Sequence, residues 1–244
     1  MEQWPNSMIE DRNKASYYST TPLLQHSVSP PRLRRALTLS LGLSLLFLIV
    51  YSGCNWITAR RANVGTFYFE WERKIPFVPF FILPYMSIDL FFVVAPFLCR
   101  TDRELSILGK RITAAIVIAG ICFLLFPLRF AFPRPRADGW TGSLFDWFRG
   151  LDAPHNLLPS LHAALMLILL DVYLRRTRGL VRVAALCWFG LIALSPVLTY
   201  QHHILDIAGG LALAGLCFLI FRNPDFCSPN QDAEPNNRRV DLLL

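Results

Sequence analysis

The stretch Ala36–Ile57, ALTLSLGLSLLFLIVYSGCNWI, runs for 22 residues without a charge. As a helix rising about 1.5 Å per residue it reaches about 33 Å, enough to cross the ~30 Å hydrocarbon core of a bilayer. Five more apolar blocks follow: Phe77–Leu98, Ile112–Leu128, Leu157–Leu174, Val181–Leu198 and Ile204–Phe221. The chain of 244 residues is 54% hydrophobic and only 17% charged, where a soluble domain carries about a quarter charged residues. Its mean hydropathy is +0.40. The fold class read from this pattern is all-α: a polytopic membrane protein with six transmembrane helices in a bundle, over residues 32–222. The first block starts 35 residues in and has no small-x-small site after it, so it reads as an uncleaved span rather than a signal peptide. Residues 1–31 and 223–244 are polar, rich in Ser, Asn and Pro, and without helical periodicity. They read as disordered cytoplasmic tails.

Basic residues set the expected orientation. With the N-terminus inside, the cytoplasmic segments carry sixteen Arg and Lys residues and the outer loops eight. Both termini are therefore expected in the cytoplasm, in a plasma membrane of the bacterial inner type. The net charge of +7 is largely this asymmetry. No basic stripe is interleaved with base-stacking aromatics, so nucleic acid is not an expected partner; the bilayer is.

The segment Thr199–Gly210, TYQHHILDIAGG, places His202 and Asp206 four apart where the sixth block begins. On a helix, positions i and i+4 share a face. A carboxylate there fixes the imidazole tautomer and leaves the other ring nitrogen free to attack or to move protons. His203 has Ile207 at that spacing, so it reads as a neighbour rather than the nucleophile. Forty residues upstream, LPSLHAAL puts His162 at the start of the fourth block. In the six-span topology both histidines lie on the outer side.

The segment LRFAFPRPRADGW adds Arg129, Arg134 and Arg136 on the same side, stiffened by Pro133 and Pro135. Arginine forks pair two phosphate oxygens at once. A single outer-loop arginine commonly does no more than meet anionic head groups; the combination with the histidines points to phosphate chemistry. Ser160 fits either a helix cap or a hydroxyl donated to a phosphate oxygen. A zinc site from His162, His202 and Asp206 lacks the spacing of known zinc motifs, and no metal or cofactor is expected. Cys54, Cys99, Cys122, Cys187, Cys217 and Cys227 show no CxxC pair and read as packing residues. Asp89 stands inside the second block, where a carboxylate is costly and marks a function or a hydrogen bond to a neighbouring span; the second reading is preferred. Asp171 pairs with Arg175 at i+4.

These motifs resemble the type-2 phosphatidic acid phosphatase superfamily. Its Pro-Ser-Gly-His motif is matched by Pro159-Ser160-Leu161-His162, and its Ser-Arg-x5-His-x3-Asp motif by Ser195, His202 and Asp206, with Pro196 where the arginine would stand. The Lys-x6-Arg-Pro motif is degraded to Arg129 and Arg136, or to Arg134-Pro135. PSLHAA followed by QHHILDIAG is most similar to the inositolphosphotransferase branch, the group resembling inositol phosphorylceramide synthase. The resemblance spans roughly residues 40–222. It implies that His202 forms a phosphohistidine, Asp206 orients it, His162 protonates the leaving group, and Arg134 and Arg136, with Arg129 as alternate, hold the phosphate. The expected activity is hydrolysis of a lipid-linked phosphate, on a phospholipid or isoprenoid phosphate. Head-group transfer to an alcohol is the alternative, and non-catalytic binding of lipid phosphate the third reading.

Overall fold

The computed structural model describes residues 30–151 and 155–222. The expected tails, beyond Pro30 and Pro31 at one end, lie outside these residues, and so does Cys227. The described residues form seven helices: α1 Pro30–Thr58, α2 Ile82–Leu98, α3 Asp102–Leu125, α4 Gly139–Leu151, α5 Leu161–Arg176, α6 Gly179–Leu198 and α7 Ile204–Ile220. The only extended pairing among them is an isolated bridge between Gly65 and Leu128.

Among the described residues, four helical segments are long and apolar enough to cross a membrane: Pro31–Thr58, Pro79–Leu98, Asp102–Leu125 and Gly179–Leu198. α7 is apolar but has only 17 residues, and α5 has 16, with Asp171, Arg175 and Arg176 at its end. The difference follows from what surrounds each helix. α1 turns Leu33, Leu37, Leu41, Leu45 and Leu48 outward and buries Ala36, Ser40, Leu43 and Cys54, a face repeating every fourth residue as a lipid-exposed stripe does. α5 is instead the centre of the bundle, packed against α2, α3, α6 and α7. Seven of its first nine residues are buried, so its neighbours are protein rather than lipid.

Boundaries move for local reasons. α3 begins ten residues before the apolar block at Ile112 because Thr101 and Glu104 form a reciprocal cap: Glu104 N–H donates to Thr101 Oγ1 (3.1 Å) and Thr101 N–H to Glu104 Oε2 (3.3 Å). It stops at Leu125, before Pro127, three residues short of the expected end. α4 corresponds to none of the six apolar blocks. It is amphipathic and only 13 residues long, and it lays Phe145 against Ile82 and Tyr85 in a small second core.

At one end of the bundle buried charges tie helices together. Arg111 on α3 donates to Asp171 on α5 (3.0 Å) and to the Phe221 carbonyl just past α7 (2.8 and 3.1 Å). Arg175 takes the other carboxylate oxygen of Asp171 at 2.9 Å, as the i+4 spacing predicts. Arg176 bridges to Glu104 and to the Leu98 carbonyl. The histidines occupy the opposite end.

Candidate active site

Three close approaches bring the histidines together. α6 ends in a Schellman turn: Tyr200 takes a left-handed conformation (φ 57°), its N–H bonds Val197 O (3.2 Å), and Gln201 N–H bonds Pro196 O (2.9 Å). His202 N–H shares the Pro196 carbonyl at 3.1 Å. His202 thus sits in the link before α7, with His203 as the N-cap. Asp206, in the first turn of α7, accepts the His203 N–H at 2.8 Å. α5 then abuts α7, with Ser160 N–H donating to Asp206 O at 2.8 Å. A Cβ on Gly210 would stand 2.2 Å from Ser160 O and 2.9 Å from the Ala163 Cβ, so the last glycine of TYQHHILDIAGG is required by the approach of two backbones.

His162, the second residue of α5, and His202 line one cavity of about 230 Å³. Its walls are mostly apolar, with Phe47, Leu48, Met86, Leu165 and Trp147. Polar atoms come from Ser52, Asp89 and Asn156. A wider open groove of about 750 Å³ between α1 and α3 has no histidine; both histidines line the smaller space. The Tyr85 ring lies parallel to that of His162, centroids 4.5 Å apart and planes within 8°. Asp89, one turn further along α2 from Tyr85, faces the same cavity.

The two carboxylate–histidine relations differ from what the spacing suggests. His202 Nδ1 is 3.8 Å from Asp206 Oδ2, beyond hydrogen-bond distance, and is buried with no hydrogen-bond partner. His203 does have a carboxylate, one far away in sequence. Its Nδ1 lies 2.8 Å from Glu72 Oε2, and its Nε2 accepts the Ala131 N–H at 3.2 Å. A backbone amide only donates, so Nε2 is unprotonated and Nδ1–H donates to Glu72. Glu72 also accepts the N–H of Phe69 (2.9 Å). Both partners are buried, His203 fully and Glu72 at 3% exposure, and Phe130 stacks on the imidazole at 4.3 Å. With both nitrogens engaged, His203 is a positioning residue. It fastens the segment at Glu72, and the segment leading to Arg134, to the start of α7.

The three expected arginines lie in the α3–α4 connection and are not in the lining of the cavity. The backbone of Arg129 is fixed through Gly65 O (2.9 Å). Arg129 and Arg136 are exposed and Arg134 is half-buried. Two further basic residues stand here that the motifs do not single out. Arg149 on α4 donates to the Pro135 carbonyl at 2.9 Å, and burial and then the neighbouring Arg134 push its pKa down. His155 is pushed below the usual histidine range by burial first and then by Arg129 and Arg134. His155 precedes Asn156, which is 2% exposed and lines the cavity. Ser160 is fully buried and caps α5, its Oγ accepting the Ala163 N–H at 3.2 Å.

The family model described as the PAP2 superfamily matches residues 80–220, more than half of the chain. No curated protein matches the chain. No solved structure matches it either.

Proposed function

The chain belongs to the PAP2 superfamily, and we propose that it is an integral membrane enzyme releasing phosphate from a lipid-linked phosphate of the phosphatidic acid or isoprenoid type. The observation carrying this reading is that His162 and His202, from different helices, line one cavity whose walls are otherwise apolar. An amphipathic space of that kind suits a head group at the histidines and chains along the walls.

In the proposed reaction His202 Nε2 attacks phosphorus and the bond to the lipid oxygen breaks. His162 takes up the proton of the bound phosphate monoanion and passes it to that oxygen. A water then attacks the phosphohistidine, its proton goes to His162 and from there to the departing phosphate, the P–N bond breaks, and orthophosphate leaves. Asp206 stabilises the charge on His202 once Nδ1–H closes the 3.8 Å gap; such bonds commonly tighten only in the substrate complex. Arg134, Arg136 and Arg129 supply positive charge for the phosphate. The proposal retains six spans, with α5 and α7 as the two shorter ones, both termini cytoplasmic and the histidine end outward.

The test is phosphate release from a short-chain phosphatidic acid in mixed micelles. Wild type should release it, vanadate should inhibit, and His202→Ala should lose about 10³-fold or more. Full activity in His202→Ala would reject the nucleophile, and release by neither protein would favour a lipid-phosphate-binding role.

Asp89 favours a second reading, transfer to an alcohol. A carboxylate in the cavity repels phosphate but suits an acceptor's hydroxyl. Asp89→Asn should then lower the ratio of transferred to released phosphate in the presence of diacylglycerol. An unchanged ratio rejects this role, and the ratio is blind to any change in the first step.

A further inference from the structure

At position 196 the resembling motif has an arginine and this chain has a proline. Pro196 lies inside α6, and an α-helical residue ordinarily donates its N–H to the carbonyl four residues earlier. Proline has no N–H, so the carbonyl of Ile192 is released from the ladder. Two side chains take it up. Ser195 Oγ–H donates to it at 2.7 Å, and His162 Nε2 lies 3.3 Å from it across the α5–α6 interface. A carbonyl has two lone pairs and only accepts, so both are used and Nε2 carries the proton. Ser195 is fully buried and Ile192 likewise, so water does not compete for this carbonyl. The carbonyl of Pro196 itself receives the N–H groups of Gln201 and His202.

We infer that Pro196 is a positioning residue for both histidines: its missing N–H hands the Ile192 carbonyl to His162, and its own carbonyl anchors the backbone of His202. The consequence for the proposed reaction, on which this inference rests for its functional meaning, is that His162 exchanges protons with substrate through Nδ1. Nε2 remains on Ile192, and the stacked Tyr85 ring fixes the plane of the imidazole. The position that lost a phosphate-binding side chain orients the acid–base group instead.

The substitution Pro196→Ala tests this. The N–H it introduces would rejoin the helix ladder, so three donors would meet the two lone pairs of Ile192 O. The His162 bond, the longest at 3.3 Å, is the one to yield. The backbone carbonyl at position 196 survives the exchange, which leaves the His202 anchor in place. In ¹⁵N spectra of the full-length protein in micelles, with the His162 signals assigned by their loss in His162→Asn, wild type should show Nε2 protonated and Nδ1 unprotonated. Pro196→Ala should lose that single tautomer and lower kcat about tenfold or more with KM changed less than about twofold. Adding Ser195→Ala removes one donor and should restore both the tautomer and kcat, which a merely structural role of the proline would not produce. Pro96→Ala, a helix-interior proline on α2 remote from the histidines, is the control and should leave the His162 signals unchanged. A wild-type spectrum with Nδ1 protonated overturns the inference even if no variant folds. So does Pro196→Ala with wild-type tautomer and kcat, or a double variant that recovers neither. Absence of phosphate release by wild type, with the tautomer as expected, would count against the proposed function alone.

Discussion

Glu72→Gln is the substitution whose consequence follows most directly from the hydrogen-bond geometry. The Glu72 carboxylate faces donors on both sides: Phe69 N–H at 2.9 Å on one oxygen and His203 Nδ1–H at 2.8 Å on the other. Ile204 N–H stands 3.4 Å away. Glutamine keeps the shape but replaces one acceptor by an NH₂ group. If that group faces His203, the imidazole can accept only by moving its proton to Nε2, which then confronts the Ala131 N–H. If it faces Phe69, two donors meet directly. Either way one buried donor is left unsatisfied, at about 1–3 kcal/mol. Glu72→Ala orphans the donors on both sides and opens a void, for about 2–6 kcal/mol at about 1–3 kcal/mol per orphaned donor. The assay is reversible unfolding in mixed detergent micelles, read as the free energy difference from wild type. Because Ala131 is three residues from Arg134, kcat/KM should fall as well, about tenfold. Glu72→Gln within about 0.5 kcal/mol of wild type, the ordinary range of a surface substitution, would refute the assignment of protons and the positioning role of His203.

Gly210→Ala should cost about 1–3 kcal/mol in the same unfolding assay, since the added methyl meets a backbone carbonyl and not a flexible side chain; wild-type stability would mean the α5–α7 contact is looser than described. Arg134→Lys should raise KM for the lipid phosphate about tenfold while leaving kcat within about threefold, because a point charge replaces a two-pronged donor; steady-state kinetics decide this. His155 is held below its ordinary pKa by burial and by two arginines, so a bound dianion would partly cancel the arginines and favour its protonation. Sulfate, doubly charged throughout, should therefore inhibit more strongly at pH 6 than at pH 8, and His155→Ala should flatten that slope. The sign for stability is also fixed: the folded pKa lies below the unfolded one, so this residue costs stability as pH falls through about 6.5 and costs nothing well above it.

How much of this is legible in the sequence differs by feature. Uninterrupted apolar runs reveal every long helix, because a lipid-facing helix must be apolar on its outer surface. They do not reveal that α5 is central, since a helix buried in protein and one facing lipid look alike in composition. α4 escapes because 13 residues with one apolar face give a weak signal beside the longer spans. The histidine pair is legible from local spacing. Glu72 is not, since 131 residues separate it from His203 and no local pattern encodes that meeting. His202 and Asp206 illustrate a subtler limit: the i+4 rule assumes both residues are helical, whereas the helix starts at Ile204. In sequence Pro196 is only a lost arginine, and what a missing N–H does becomes clear only with Ile192, Ser195 and His162 in place.

The central claim is that His202 is the nucleophile, and covalent trapping tests it most directly. After a brief incubation with ³²P-labelled phosphatidic acid and rapid denaturation, the account predicts acid-labile, base-stable label on the peptide containing His202, absent from His202→Ala and accumulating in His162→Ala if the second step needs that base. Label on His203 or His162, or undiminished turnover with no label at His202, would contradict it.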